Sequence, residues 1–412
     1  MRILLLVQDP LGSGANFTRA ESLGKEFERL GHEVWLAGPP GRSDITPGRD
    51  RASGIRWLSP PGLGRRLLLP AAFSPWILFG ILGRVRALHP QIIHSFGHRP
   101  AASIPARFLQ RRQHIRHVAD WSDWWGAGGI AAERSWLGRR TVGALDEALE
   151  RWSRRTADGL SVATRHLAAM ARSWGIGDER ILLLPGGARV DEIRPLPQEA
   201  ARRKHGLDLG DRILVHAGQS AFDLPFAIDC FAEVARQEPR AKLMVIGDDR
   251  GRSLTAARRR GVQAGVVRFK YVPYGQLGEL LACGDVMLLP FADLGLNLGR
   301  FPNRLGDYFA SGRPVVTNTT GDLGRLFDEN VIGLAAEATP QATAQAVLRV
   351  LSDPALAADL GGRGRRFAEH RMAWPIVAGE VLAFYERTPA RSRIGPVSHP
   401  GGLGSGASGG AL

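Results

Sequence analysis

Cysteine is nearly missing from this chain, occurring only as Cys230 and Cys283. Two thiols exclude a disulfide framework or a cysteine-rich zinc cluster. Both fall in apolar helical patterns, as buried thiols in a reducing cytoplasm do. Lysine is also scarce, confined to Lys25, Lys204, Lys242 and Lys270, so 54 − 4 leaves 50 arginines among the basic residues. A membrane span needs about 20 apolar residues. The charge-free stretch Leu67–Leu82 is shorter and is interrupted by Pro70 and Pro75. Flanked by Arg65, Arg66, Arg84 and Arg86, it reads as a buried helix of the first domain or as a segment resting in a membrane interface. No signal peptide is read, because Met1–Val7 runs straight into Gln8-Asp9-Pro10 without a small-residue cleavage site. Neither an interleaved aromatic–basic motif nor a helix-turn-helix signature is present, so nucleic acid is not an expected partner.

What is present describes a well-cored protein. Apolar residues make up 44% and charged residues 23%, and 412 residues correspond to about two or three domains of ordinary size. The net charge is 54 − 40 = +14, and it is uneven: residues 1–195 hold 28 − 18 = +10, residues 196–412 hold 26 − 22 = +4. A basic front half favours phosphates or an anionic membrane face. The expected location is cytoplasmic, with peripheral contact at the inner face of the membrane.

Strand and helix patterns alternate along the chain. Strands are expected at Ile3–Val7, Glu33–Ala37, Ile55–Leu58, Gln91–His94, His117–Ala119, Leu160–Ala163 and Ile181–Leu184, with helices such as Ala101–Gln110, Arg140–Arg155 and Arg165–Trp174 between them. The rhythm restarts after Pro185-Gly186-Gly187 and the Pro195–Pro197 stretch, with strands at Ile213–Ala217, Lys242–Ile246, Val266–Phe269, Val286–Leu289 and Pro314–Thr317. Such alternation implies parallel sheets covered on both faces. The expected fold class is α/β: two doubly wound Rossmann-like domains facing across a cleft. The expected boundaries are 1–190, 191–373, a returning helix at 374–388 whose stripe includes Val377, Val381, Phe384 and Tyr385, and a disordered glycine-rich tail at 389–412.

Candidate chemistry lies where strands end. Gly12-Ser13-Gly14-Ala15-Asn16 follows a strand and opens a helix, a place where backbone N–H groups attract an anion such as a diphosphate. As a dinucleotide fingerprint it fails, since the third glycine falls on Phe17 and the second strand ends without an acid. In the second half, Phe301-Pro302-Asn303-Arg304-Leu305-Gly306-Asp307 opens a helix that Gly312 ends. Arg304 and Asp307 lie three apart on one face, so that Asp307 can accept ribose hydroxyls and Arg304 can meet a phosphate, or the two can form a surface ion pair. In the first half, His94-Ser95-Phe96-Gly97-His98 and Asp120-Trp121-Ser122-Asp123-Trp124-Trp125 each follow a strand. Asp120 or Asp123 can orient or deprotonate an acceptor hydroxyl, His98 is the preferred histidine, and the tryptophans either stack on a sugar or pack the domain. His94 and His98 have no evident third partner for a metal.

The Phe301–Val316 segment resembles the donor-site helix of glycosyltransferase family 4. Other segments are similar to family features in matching order: Leu160–Thr164, Leu184-Pro185-Gly186-Gly187-Ala188, Leu214–Gly218, Leu243–Asp248, Val267–Tyr271 and the closing Trp374–Arg387 helix. The resemblance covers roughly residues 1–388 and implies the two-domain GT-B fold, a nucleotide-sugar donor of UDP or GDP type used as substrate, transfer with retention, and neither a cofactor nor a bound metal. It implies that Asp307 holds the ribose, that Gly12 and Gly14 face the diphosphate and acceptor, that Arg304 is a basic residue of the donor site, and that Tyr271 and Val272 meet the base. The expected acceptor is a glycan or a lipid-linked precursor.

The departures from the family pattern are specific. Its first acid falls on Gly299, its phosphate-binding arginine falls on Gln219 after Gly218, and its lysine meets Asp223-Leu224-Pro225. Charge growing on a departing diphosphate has to be stabilised, and Arg300 and Arg304 are the cations expected to compensate. The sequence reading is therefore a glycosyltransferase. Its rivals are a catalytically weak nucleotide-sugar-binding protein and an epimerase or phosphorylase on the same architecture.

Overall fold

A computed structural model describes residues 1–41, 48–50, 53–61, 70–218, 222–247, 250–270 and 272–389. Two α/β lobes make up the chain. The first is built on β1 (Arg2–Val7), β2 (Glu33–Ala37), β3 (Gly48–Arg49), β4 (Arg56–Leu58), β5 (Ile92–Phe96), β6 (Arg116–Trp121), β7 (Gly159–Val162) and β8 (Ile181–Leu183), in the spatial order β3-β4-β2-β1-β5-β6-β7-β8. All neighbours are parallel except β3 and β4. The second lobe holds β9 (Arg212–Ala217), β10 (Ala241–Ile246), β11 (Val266–Phe269), β12 (Val286–Leu288), β13 (Val315–Asn318) and β14 (Leu334–Ala336) in a parallel sheet ordered β11-β10-β9-β12-β13-β14. The fold class expected from the alternating pattern is the one observed.

Ile3–Val7 reads as an unbroken apolar run because both faces of the sheet are covered. Leu5 and Val7 pack with α1 (Ala15–Arg29) and the last helix, whereas Leu4 and Leu6 pack with α2 (Pro75–Val85) and α3 (Pro100–Gln113). Strands β5 and β6 extend two residues past their expected ends, through polar Ser95 and Asp120, because those side chains find buried partners: Ser95 pairs with His117, and Asp120 with Arg19 and Ser161. Helix α3 runs through Pro105, whose ring is buried. The helix expected over Arg140–Arg155 is divided, with wider π-type turns at Arg139–Gly143 leading into α4 (Ala144–Thr156).

The Leu67–Leu82 stretch is only half a buried helix. Residues 62–69 lie outside the described residues, and α2 buries Ile77, Ile81 and Val85 while exposing Trp76 and Phe79. No described helix is long and apolar enough to cross a membrane. Most of the expected tail, residues 390–412, also lies outside the described residues.

The chain crosses between lobes twice, and the crossings bond to each other. Ala188 N–H donates to the Met372 carbonyl (2.6 Å), and Trp374 N–H donates to Ala188. From there α7 (Trp374–Arg387) returns to the first lobe, where Val377, Val381, Phe384 and Tyr385 join the cluster containing Leu23 and Phe27 of α1. A further apolar cluster runs from Ala119 and Leu160 through Ala188 and Ile193 to Val215 and Leu305, so the core is continuous across the hinge.

Candidate functional site

In doubly wound sheets, ligands bind beyond the strand C-termini where the connections reverse direction. In the second lobe that point lies between β9 and β12, and α5 (Asp223–Ala235) and α6 (Arg304–Ala310) flank it. Arg304 donates from Nη1 to the Ala217 carbonyl at the end of β9 (2.8 Å), and the Ala217 N–H donates to Tyr308 Oη (2.7 Å). Asp223, fully buried at the start of α5, accepts from both Arg304 and Arg300, one on each carboxylate oxygen. Each arginine remains 14% exposed. Burial lowers the Arg300 pKa from its ordinary value, while the charge of Asp223 opposes the shift. One carboxylate against two guanidiniums leaves net positive charge at the end of β9, a place suited to an anion.

Asp307 occupies the neighbouring turn of α6. It accepts a hydrogen bond from Tyr274 Oη, and the Arg189 guanidinium stacks 4.4 Å above the Tyr274 ring. Burial raises the Asp307 carboxyl to about 6, against the pull of the Tyr274 hydrogen bond and the Arg189 charge. A narrow space opens here between the lobes, lined by Thr18, Arg19, Gly187, Arg189, Tyr274 and Asp307 among others. The expected Arg304–Asp307 surface ion pair does not form; each residue has its own partner.

The first lobe presents Gly12-Ser13-Gly14 between β1 and α1. Gly14 has φ +90°, and a Cβ there would fall 2.3 Å from Asp9 Oδ2, so glycine is required on both counts. The Asp9 carboxylate instead caps α1, accepting from Asn16 N (2.9 Å) and Asn16 Nδ2 (3.2 Å). Asn16 Oδ1 in turn accepts from Ser122 Oγ (3.2 Å), and Ser122 also donates to Asp123 (3.0 Å). Asp123 is half-buried, and its carboxyl is raised by burial. The Ser122 hydrogen bond and the Arg300 charge from the opposite lobe pull it back.

Asp120 and His98 are placed differently from the sequence expectation. Asp120 is fully buried, accepting from Arg19 Nε (3.0 Å) and Ser161 Oγ (2.6 Å), while Arg19 also donates to the Leu184 and Pro185 carbonyls. His98 is fully buried as well, donating to Asp146 (3.0 Å), and burial lowers its imidazole to about 4. Burial alone would raise Asp146, but the hydrogen bond from His98 and the Arg99 charge hold it well below the usual carboxylate range. Neither Asp120 nor His98 is open to a substrate, so their expected contact with an acceptor is corrected to an internal role. Among the tryptophans, Trp121 is buried and stacked on Trp174 (4.9 Å), whereas Trp124 reaches the other lobe.

Trp124 also accounts for Gly299. A Cβ on residue 299 would fall 2.3 Å from Trp124 Cβ and 3.2 Å from its backbone nitrogen. Trp124, chiefly through its Cβ, therefore occupies the room that any side chain at this position would need. Gln219 and Tyr271 lie outside the described residues; Val272 is half-buried against the main cluster. Among the described residues no three His, Cys, Asp or Glu side chains converge as a metal site.

Sequence reasoning passed over Asp223 as a partner for the arginines and gave no role to Arg19, Tyr274, Arg189, Asp146 or Glu150. Glu150 accepts from Trp121 Nε1, Trp125 N and Gly126 N (2.7, 3.0 and 3.0 Å), anchoring the loop that carries Asp123. One signal was available: Asp146, Glu150 and Arg154 recur every four residues, marking a polar stripe on the inner face of α4.

Two family descriptions match this arrangement lobe by lobe: the glycosyl transferase 4-like domain over residues 17–187, and the glycosyl transferases group 1 over residues 212–353. The chain belongs to the GT4-type glycosyltransferases, with the GT-B fold. Among curated relatives, it is 25% identical over 228 residues to a D-inositol 3-phosphate glycosyltransferase of Segniliparus rotundus, a match spanning 53% of this chain and 49% of that protein. It thus spans about half the length of that relative. It is 23% identical to a GDP-mannose-dependent alpha-(1-6)-phosphatidylinositol dimannoside mannosyltransferase of Mycobacterium tuberculosis, across 93% of this chain and 95% of the other. Among solved structures, sucrose-phosphate synthase from Thermosynechococcus elongatus superposes with a TM-score of 0.76 at 18% identity, covering 94% of this chain and 98% of that one.

Proposed function

We propose that the protein transfers a sugar from a nucleotide-sugar donor to an acceptor hydroxyl, with retention and without a metal ion, in the synthesis of a glycolipid or other envelope glycan. The observation that carries this reading is the pairing of Arg300 and Arg304 on Asp223 beside Asp307, at the switch point of the second lobe and facing the first. Asp307 holds the ribose hydroxyls, with Val272 near the base. The two guanidiniums meet the diphosphate, in place of the family arginine and lysine, and the glycine loop at Gly12–Gly14 closes over it.

In the transfer, the bond from the anomeric carbon to the diphosphate breaks and its electron pair stays on the departing phosphate oxygen. The acceptor oxygen bonds to the same carbon, and its proton leaves to a base. Asp123, with its raised pKa and its place at the cleft, serves as that base or orients the hydroxyl. Fixed cations stabilise the growing phosphate charge without reorganisation, and closure of the lobes keeps water from competing as acceptor. The relatives named for D-inositol 3-phosphate and phosphatidylinositol dimannoside support an anionic acceptor, and the GDP-mannose in the second name supports a GDP sugar.

A thermal-shift panel of nucleotides and nucleotide sugars tests the donor, because a ligand of the folded form raises the melting point. Product analysis with and without acceptor tests the reaction. Glycoside formation with unchanged anomeric configuration and no loss of rate in chelator is expected. Binding without turnover would leave a sugar-nucleotide-binding protein, and an altered free sugar nucleotide would mean an epimerase.

A further inference from the structure

Two residues beside Asp307, Tyr274 and Arg189, join parts of the molecule that lie far apart in sequence. Tyr274 opens the second-lobe helix Tyr274–Ala282, and its Oη donates to Asp307 Oδ1 (2.5 Å). Burial and the Asp307 charge hold the phenol well above its ordinary value, so it stays protonated and remains a donor. One carboxylate oxygen is thereby engaged, and Oδ2 is left for a ligand in the space between the lobes. Arg189 follows Ala188 at the first crossing between the lobes. The face of its guanidinium lies 4.4 Å from the centre of the Tyr274 ring. Its edge is held by α1 of the first lobe: Nη2 and Nε donate to Ser22 Oγ (2.9 and 3.2 Å), and Nη2 also donates to Glu21 Oε2 (3.3 Å). Only 11% of the Arg189 side chain is exposed.

We infer that Tyr274 and Arg189 are positioning residues that tie ribose recognition by the second lobe to the placement of the first. Arg189, pinned to α1, steadies the Tyr274 ring, and Tyr274 fixes the Asp307 carboxylate with its second oxygen free for the ribose. The inference rests on the proposed reading of Asp307 as the ribose acid, and adds a route by which the first lobe governs nucleotide affinity. A cation over an aromatic face is attracted by the ring's electron density, and drawing on that density makes the phenol a stronger donor. A hydrogen bond to a carboxylate and a cation near it both favour the ionised form. Here they oppose burial and the charge of Glu192, whose carboxylate lies 3.8 Å from Arg189 Nη1, and the balance leaves Asp307 at about 6. Arg19, which lines the same space, is committed to Asp120. If α1 moved away with the first lobe, Arg189 would give up either Ser22 and Glu21 or Tyr274, and Asp307 would lose its support.

The full chain carrying ¹³C-labelled aspartate is titrated without nucleotide, with Asp307→Asn identifying the Asp307 carboxyl signal. That carboxyl should titrate at about 6 in the parent, and at least about one pH unit higher in Tyr274→Phe and in Arg189→Gln. Binding of GDP or UDP at pH 7 should weaken about threefold to tenfold in both variants. Most of that loss should be recovered at pH 8.5, where the carboxylate is ionised in every chain. With a nucleotide sugar the loss should appear in KM and not in kcat, as expected for binding shared by ground and transition states. E21Q/S22A removes the first-lobe hold while leaving Tyr274 and Asp307 in place; it should move both readings the same way by less, and it serves if a larger change prevents folding. An Asp307 signal unmoved in Tyr274→Phe and Arg189→Gln would overturn the inference. A signal moved by Tyr274→Phe alone would overturn the link to the first lobe. Moved signals together with parent-like nucleotide binding in Asp307→Ala would count against Asp307 as the ribose acid, and leave its positioning by Tyr274 standing.

Discussion

The two lobes share an architecture but hold their cleft edges in opposite ways. In the first lobe the strand ends rest on buried charge: Arg19 with Asp120, His98 with Asp146, and Glu150 beside Arg154. In the second lobe one face of the sheet rests on an apolar cluster, and the charged groups Asp223, Arg300, Arg304 and Asp307 gather towards the mouth. The difference separates positioning from contact. The acids of the first lobe fix loops and leave Asp123 to face the cleft, whereas in the second lobe Asp307 lines it and Arg300 and Arg304, each 14% exposed, stand beside it on the buried Asp223.

The largest effect expected from this contrast is on stability. Removing one partner of a buried pair strands the other charge, so Asp120→Ala should cost about 3–5 kcal/mol in denaturant unfolding. A loss below about 1 kcal/mol, the size of an exposed pair, would show that Asp120 is not held as the first-lobe account requires.

Next comes turnover. Arg300→Met and Arg304→Met should each lower kcat of the folded protein by about 10²–10³-fold, with some loss of stability as the buried Asp223 keeps only one guanidinium, and parent-like kcat in both would place the leaving-group stabilisation elsewhere.

Glu150 offers a pH test of the first lobe. Burial lifts its carboxyl to about 7, so between the unfolded value near 4.5 and 7 the folded state binds the extra proton. Stability therefore falls as pH rises through that window. Glu150→Gln should flatten the slope, measured by urea unfolding at several pH values; an unchanged slope would remove Glu150 as its source.

The smallest effect concerns Asp307, held near 6. Nucleotide affinity should weaken modestly from pH 7 to pH 5 in the parent chain and stay flat in Asp307→Asn.

The legible parts of the sequence were those that follow from periodicity. Runs such as Ile3–Val7 and Ile213–Ala217 mark strands because parallel sheets are buried on both faces, and Val377, Val381, Phe384 and Tyr385 mark a helix that must cover something. Asp307 and Arg304 were legible from spacing and resemblance together. What spacing could not give was depth. Asp120 and Asp123 stand three residues apart at one strand end, yet the first turns under the sheet to Arg19 and the second stays at the cleft. Partners distant in sequence decide this: Arg19 lies 101 residues from Asp120, and Arg304 lies 81 from Asp223. Gly299 was legible only as an absence, and its cause, the Cβ of Trp124 in the other lobe, is a contact no local sequence pattern encodes.

The central claim is that Asp307 reads the ribose of a nucleotide held between the lobes. Isothermal titration of the parent chain and Asp307→Ala with GDP, UDP and their sugars at pH 7.5 tests it most directly. The account predicts that at least one nucleotide binds the parent and that the substitution weakens it by about 1–3 kcal/mol, roughly tenfold to a hundredfold, with folding intact. Equal dissociation constants for the two proteins would contradict it.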